Sequence, residues 1–93
     1  MIISFRDKDT EVLFRTGKNK RIPPDVIRRA LRLLDRVDAA HHIEDLRIPP
    51  SNRLEKLKGH NSARWSIRVN KQWRITLVWS GADAESVAFE DYH

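Results

Sequence analysis

The hydrophobic period of this chain changes once, and that change limits what it can fold into. Between Pro23 and Val37 the apolar residues Val26, Ile27, Ala30, Leu31, Leu33, Leu34 and Val37 recur at steps of three and four. That spacing predicts an amphipathic helix. Pro23-Pro24-Asp25 opens it, because proline suits a first helical turn and an early acid suits the positive end of the helix dipole. From Arg53 the period is two. Trp65, Ile67 and Val69 alternate with Arg64, Ser66, Arg68 and Asn70; Trp73, Ile75, Leu77 and Trp79 alternate with Arg74, Thr76 and Val78. Only a turn near Asn70-Lys71-Gln72 separates the two runs, so they read as an antiparallel hairpin. Its apolar face needs a helical layer to cover it.

The rest of the chain fits around that frame. Ile2 to Phe5 reads as a first strand, and Asp7 to Thr16 as a short helix stopped by Gly17. Lys18 to Arg21 is a polar loop, and Asp38 to Asn52 has turn-and-linker composition. Leu54 and Leu57 anchor a short strand ending at Lys58-Gly59, and Glu85 to Glu90 is a last strand with Val87 and Phe89 inward. The expected architecture is α+β: β-α-α followed by a four-stranded antiparallel meander, with the helices on one face of the sheet. At 93 residues and 40% hydrophobic content, residues 1–93 are expected to form a single domain with one modest core.

Several function classes drop out. The chain has no cysteine, which removes disulfides, thiolate metal sites and a cysteine nucleophile. No apolar run approaches the roughly 20 residues of a membrane-spanning helix. Met1-Ile2-Ile3-Ser4-Phe5 is too short for a signal-peptide core, so a cytoplasmic location without membrane contact is expected. His41-His42 are adjacent, do not share a helix face, and have no further ligands at zinc spacing, so no metal or cofactor is expected.

Charge supplies the first functional direction. Eighteen Lys+Arg against 13 Asp+Glu give +5. The excess is local: residues 47–74 carry eight basic side chains and Glu55 alone among acids, whereas residues 75–93 carry four acids and no Lys or Arg. Such a segment favours a polyanion, with nucleic acid first. Strand alternation aims Arg64, Arg68 and Arg74 away from the helices onto one surface, with Lys56 or Lys58 in reach from the neighbouring strand. Guanidinium forks held on a sheet suit phosphate, since each donates two parallel hydrogen bonds. The terminal Asp91-Tyr92-His93 carries groups that move protons or stack on a base.

Four motifs in order resemble the HigB-type killer toxins of the RelE/ParE superfamily. They are Ser51-Asn52-Arg53-Leu54-Glu55-Lys56-Leu57-Lys58-Gly59, Trp65-Ser66-Ile67-Arg68-Val69-Asn70, Gln72-Trp73-Arg74-Ile75 and Asp91-Tyr92-His93. The resemblance implies the toxin of a type II toxin–antitoxin system: a metal-independent, ribosome-dependent mRNA endonuclease in which the ribose 2′-OH attacks the neighbouring phosphate. It implies a helix-turn-helix antitoxin of the HigA type encoded by the adjacent gene, operator DNA bound only through that antitoxin, and the ribosome with A-site mRNA as target. Residue by residue, it implies His93 as general acid or base, Asp91 orienting it or sharing the proton, and Tyr92 positioning a base. Arg74 would stabilise the phosphorane and Lys58 would hold the backbone, with Lys56, Arg53, Arg64 and Arg68 as further phosphate contacts. Some relatives carry histidine where this chain has Glu55, two residues before Leu57-Lys58-Gly59. A carboxylate there can still accept a proton, provided Lys56, Lys58 or Arg53 offsets its charge. The alternative is a non-nucleolytic superfamily member, such as a ParE-type gyrase poison or a weakly active RNA- or ribosome-binding protein.

Overall fold

Helix α1 (Lys8–Thr16) begins where the Thr10 N–H donates to Asp7 Oδ1 at 2.7 Å and ends where Gly17 turns left-handed at φ 71°. The Gly17 N–H donates back to Leu13 O at 2.8 Å, closing the last turn. Helix α2 (Pro24–Ala39) follows after buried Ile22 and starts on Pro24, as its sequence predicts. The computed structural model describes residues 1–61 and 63–91. The linker after α2 carries two short 3-10 turns, Ile43–Arg47 and Pro50–Asn52. Buried Asn52 holds them together, donating through Nδ2 to Leu46 O and Ile48 O, each at 3.2 Å.

Four strands follow: β1 (Glu55–Lys56), β2 (Arg64–Arg68), β3 (Trp73–Ser80) and β4 (Asp83–Asp91). They pair antiparallel in the order β1-β2-β3-β4, the expected meander. Asn70 Oδ1 accepts from the N–H groups of Gln72 and Trp73 at 2.8 and 2.7 Å, which builds the β2–β3 turn locally. Gly81 at φ 65° makes the tight β3–β4 turn.

Two elements differ from expectation. Ile2 to Phe5 is not a continuous strand: it makes isolated parallel bridges, Ile2 to Ala84 and Phe5 to Val87. Between them β4 carries a bulge at Ser86, whose φ is 52°, and the Ser86 N–H donates to the Ser4 hydroxyl at 2.8 Å instead of to a main-chain carbonyl. The strand predicted around Leu54 and Leu57 is only two residues long, because Arg53 sits at φ 46° and breaks the extended run before it.

One apolar cluster joins the layers. Leu13 from α1, Leu34 and Val37 from α2, and Ile67, Ile75, Leu77 and Val87 from the sheet are all at most 1% exposed. Trp65 and Trp73 pack against its edge, so the predicted inward face is the observed one. Among the described residues no helix lies over the other face of the sheet, and the polar residues of the alternating runs stand there.

Candidate active site

Register places the polar side chains of the open face in rows across the strands. Arg68 on β2 pairs with Arg74 on β3, which pairs with Glu90 on β4. The next row runs Glu55, Ser66, Thr76, Ala88. Adjacent strands lie about 4.8 Å apart and rows about 7 Å apart, so these groups share a surface small enough for one phosphodiester.

Arg74 is the centre of that surface. Its Nη1 donates to Ser66 Oγ at 3.2 Å and lies 3.4 Å from Glu55 Oε1. Its side chain is 16% exposed, against 53% for Glu55. The guanidinium is therefore held by the sheet while the carboxylate stands at the edge, facing water. Arg68 stands opposite Arg74, and like charges paired across strands repel. Arg74 relieves this by leaning diagonally toward Glu55 and Ser66. An anion bridging the two arginines would relieve it further.

Arg64 departs from the sequence expectation. It lies on the same face but is only 9% exposed. Its Nη2 donates to Thr76 Oγ1 and to the Ser86 carbonyl, each at 2.8 Å, and its Nη1 reaches Ser86 Oγ at 3.4 Å. Thr76 in turn donates a short hydrogen bond to Glu90, and Glu90 pairs with Arg6 at 3.5 Å. Burial pushes the Arg64 guanidinium below its ordinary pKa, and the Arg6 charge adds to this, while Glu90 opposes it. An arginine stays charged regardless. Its donors are turned inward to the bulge, so Arg64 is a strut of the sheet and not an exposed phosphate fork.

Lys56 is the second correction. It pairs with Trp65 and its Nζ lies 5.3 Å from the Trp65 ring centroid, on the helix side of the edge strand. The charge offsetting Glu55 comes from Arg74, not from Lys56. Arg53 and Lys58 are exposed and flank β1 on either side.

At the other end of the row, Asp91 pairs with Trp73 and so projects to the opposite side of β4 from Glu90. It is exposed, and its Oδ2 accepts from Gln72 Nε2 at 3.2 Å. Trp73 and Phe89 stack beside it with centroids 4.7 Å apart. Tyr92 and His93 lie outside the described residues.

Comparison with known proteins decides the family. The model for the RelE-like toxin of the type II toxin–antitoxin system HigB matches residues 3–93. The chain belongs to the HigB toxin family. It is 42% identical to Toxin HigB-1 of Vibrio cholerae, over 99% of this chain and 94% of that one. It is 36% identical to Endoribonuclease HigB of Proteus vulgaris over the full length of both. Among solved structures, it is similar to the YoeB-YefM complex from Staphylococcus aureus, with a TM-score of 0.63 at 17% identity, covering 100% of this chain and 98% of that one. That likeness confirms the RelE-like fold. As a HigB-family toxin of a type II toxin–antitoxin system, the protein has an antitoxin as its partner.

Within this HigB-family chain, the structure brings together Arg74, Glu55 and Arg68, and sets Asp91 at the same end of the sheet on its other side. Sequence reasoning missed Glu90, Ser66 and Thr76. Ser66 and Thr76 carried a signal, since both alternate with the inward residues of their strands. Glu90 carried none that counting could use. Continued from the Ser80–Asp83 pair of the tight turn, an unbroken ladder would set Phe89 opposite Arg74; the bulge at Ser86 sets Glu90 there.

Proposed function

We propose that this chain is a ribosome-dependent mRNA endonuclease that stops translation by cutting the codon in the A site. The observation that carries the reading is the Arg68–Arg74 pair on an uncovered sheet face, with the Glu55 carboxylate 3.4 Å from Arg74. The substrate supplies its own nucleophile. Glu55 accepts the proton of the ribose 2′-OH; the oxygen attacks phosphorus; the 5′-oxygen leaves and takes a proton. The products are a 2′,3′-cyclic phosphate and a free 5′-OH. Arg74 and Arg68 neutralise the two negative charges that build on the phosphorane, from positions fixed before the substrate arrives. His93 gives the proton to the 5′-oxygen and Tyr92 stacks on a base, both following Asp91, which ties the end of β4 to Gln72. Lys58 and Arg53 hold flanking phosphates.

The ribosome enters because of alignment. An open sheet face grips phosphates but does little to hold a flexible strand in line for attack; the A site would do that. A cytoplasmic place of action follows from that substrate. The antitoxin is of the HigA type, a helix-turn-helix protein from the adjacent gene that carries the pair to operator DNA. It binds the groove of about 590 Å³ lined by Lys18, Lys20, Ile27, Arg28 and Leu31, on the helical layer. Docked there it leaves Arg74 open and acts by bulk, barring entry to the ribosome. The test is primer extension on a defined mRNA with and without ribosomes. Cuts inside codons only with ribosomes, lost in Arg74→Ala, are the expected result. Intact mRNA accompanied by induction of the DNA-damage response would replace this reading with a gyrase poison.

A further inference from the structure

Arg29, Arg32 and Arg36 lie three and four residues apart on α2 and so share one side of the helix. With Leu33, Pro49, Ser51 and Asn52 they line a recess of about 100 Å³, several times the roughly 30 Å³ share of one water molecule. Its far wall is a built one. Asn52 pins the Pro49–Asn52 turn through Leu46 O and Ile48 O, and Arg36 Nη1 donates to Ile48 O at 3.1 Å, fixing the guanidinium to the same turn.

No carboxylate lines the recess, and among the described residues none of the three arginines forms an ion pair. Asp35 lines the neighbouring surface, which Arg32 and Arg36 also border, and forms no ion pair with either among the described residues. Arg29 adds an independent observation: its Nε is buried and has no hydrogen-bond partner among the described residues. Folded proteins seldom leave a buried donor unmet. A solvated face explains exposed Arg32, but it does not explain a half-buried arginine whose Nε is out of reach of water beside two like charges.

We propose that this recess is a phosphate-binding site, separate from the open sheet face. Three guanidinium groups of one helix, set around one recess, suit a tetrahedral oxyanion, which accepts from several directions, better than a carboxylate, which one planar fork satisfies. The recess is too small for a peptide segment. Because α2 covers the sheet face carrying Ile67, Ile75 and Leu77, while Arg74 stands on the other, the two anion sites lie in different layers. The site does not depend on the reading of the sheet face. The phosphate is either free, as inorganic phosphate or a nucleotide, or part of an RNA backbone.

Thermal unfolding of the full chain is followed while inorganic phosphate replaces chloride at constant ionic strength, with the Arg29 Nε–H resonance read by NMR. Wild type, Arg28→Gln and Arg74→Ala are expected to show a saturable rise in Tm and a shifted Arg29 signal. Arg32→Gln, at an exposed position that leaves the fold intact, weakens the phosphate affinity at least about tenfold, the effect of one lost charge-assisted hydrogen bond. A 2′-O-methyl oligoribonucleotide, which 2′-OH attack cannot cut, identifies the source. If Arg32→Gln lowers its log–log salt slope by about 0.7, the ligand is a backbone phosphate. An unchanged slope with phosphate binding lost assigns a free phosphate or nucleotide. Equal phosphate affinity in Arg32→Gln and wild type, or no saturable response beyond chloride, overturns the site.

Discussion

Replacing Arg64 by methionine keeps most of the stem volume and removes a guanidinium on which three hydrogen bonds end, two of them at 2.8 Å. The Ser86 carbonyl, which faces Arg64 from the bulge, then lacks that donor, and Glu90 loses one neighbouring cation while keeping Arg6 and its cross-strand neighbour Arg74. An unmet buried acceptor costs about 1–3 kcal/mol, and a lost charge-assisted bond a similar amount. Against this, the chain no longer buries a charge whose Nε is dehydrated and has no hydrogen-bond partner among the described residues, which returns part of the loss. The net expectation is a destabilisation of about 2 kcal/mol. For a domain of this size each kcal/mol shifts Tm by about 4–8 °C, so unfolding is expected about 8–16 °C lower. The same substitution in a Glu90→Gln background is expected to do about 1 kcal/mol less damage, because the charge it strands is gone. Circular-dichroism melts and urea titrations of the four proteins read both quantities. A Tm within about 2 °C of the parent, or identical losses in the two backgrounds, refutes the argument that Arg64 is a strut tied to Glu90.

Arg68→Gln is expected to lower the salt slope for single-stranded RNA by about 0.7, while Lys56→Gln, whose charge lies over Trp65, leaves it unchanged in equilibrium titrations. Arg74→Ala is expected to slow single-turnover cleavage on programmed ribosomes by about 10²–10³, with the circular-dichroism spectrum preserved. His93→Ala is expected to lower that rate by about 10²–10⁴ without altering the salt slope, since it removes a proton and not a phosphate contact. The N–H groups of His42 and His41 donate to the Asp45 carboxylate and hold its pKa below 3.8. Its contribution to stability is therefore complete above 3.8 and is lost as pH falls through the lower folded value. Melts between pH 5 and 2 should show a shallower acid decline in Asp45→Asn than in the parent.

Much of this protein is decided locally, and such features can be read from sequence. The helix from Pro24 follows from the spacing of Val26 to Val37, and the β2–β3 hairpin from strict alternation around an Asn-centred turn; in each, residues close in the chain settle the backbone and the buried face. The motifs around Leu57-Lys58-Gly59 and Trp73-Arg74-Ile75 marked the family in the same way. What the sequence could not decide depends on pairing across distance. The bulge at Ser86 is supported by the Ser4 hydroxyl, 82 residues away, and by Arg64 from β2. It shifts β4 by one residue, and that shift alone sets Glu90 instead of Phe89 beside Arg74. Burial follows the same rule. Alternation showed that Arg64, Arg68 and Arg74 share a face, but which guanidinium turns inward depends on acceptors supplied by two other strands. Whether Lys56 meets phosphate or an indole ring depends on its register against Trp65, which a two-residue strand cannot announce on its own.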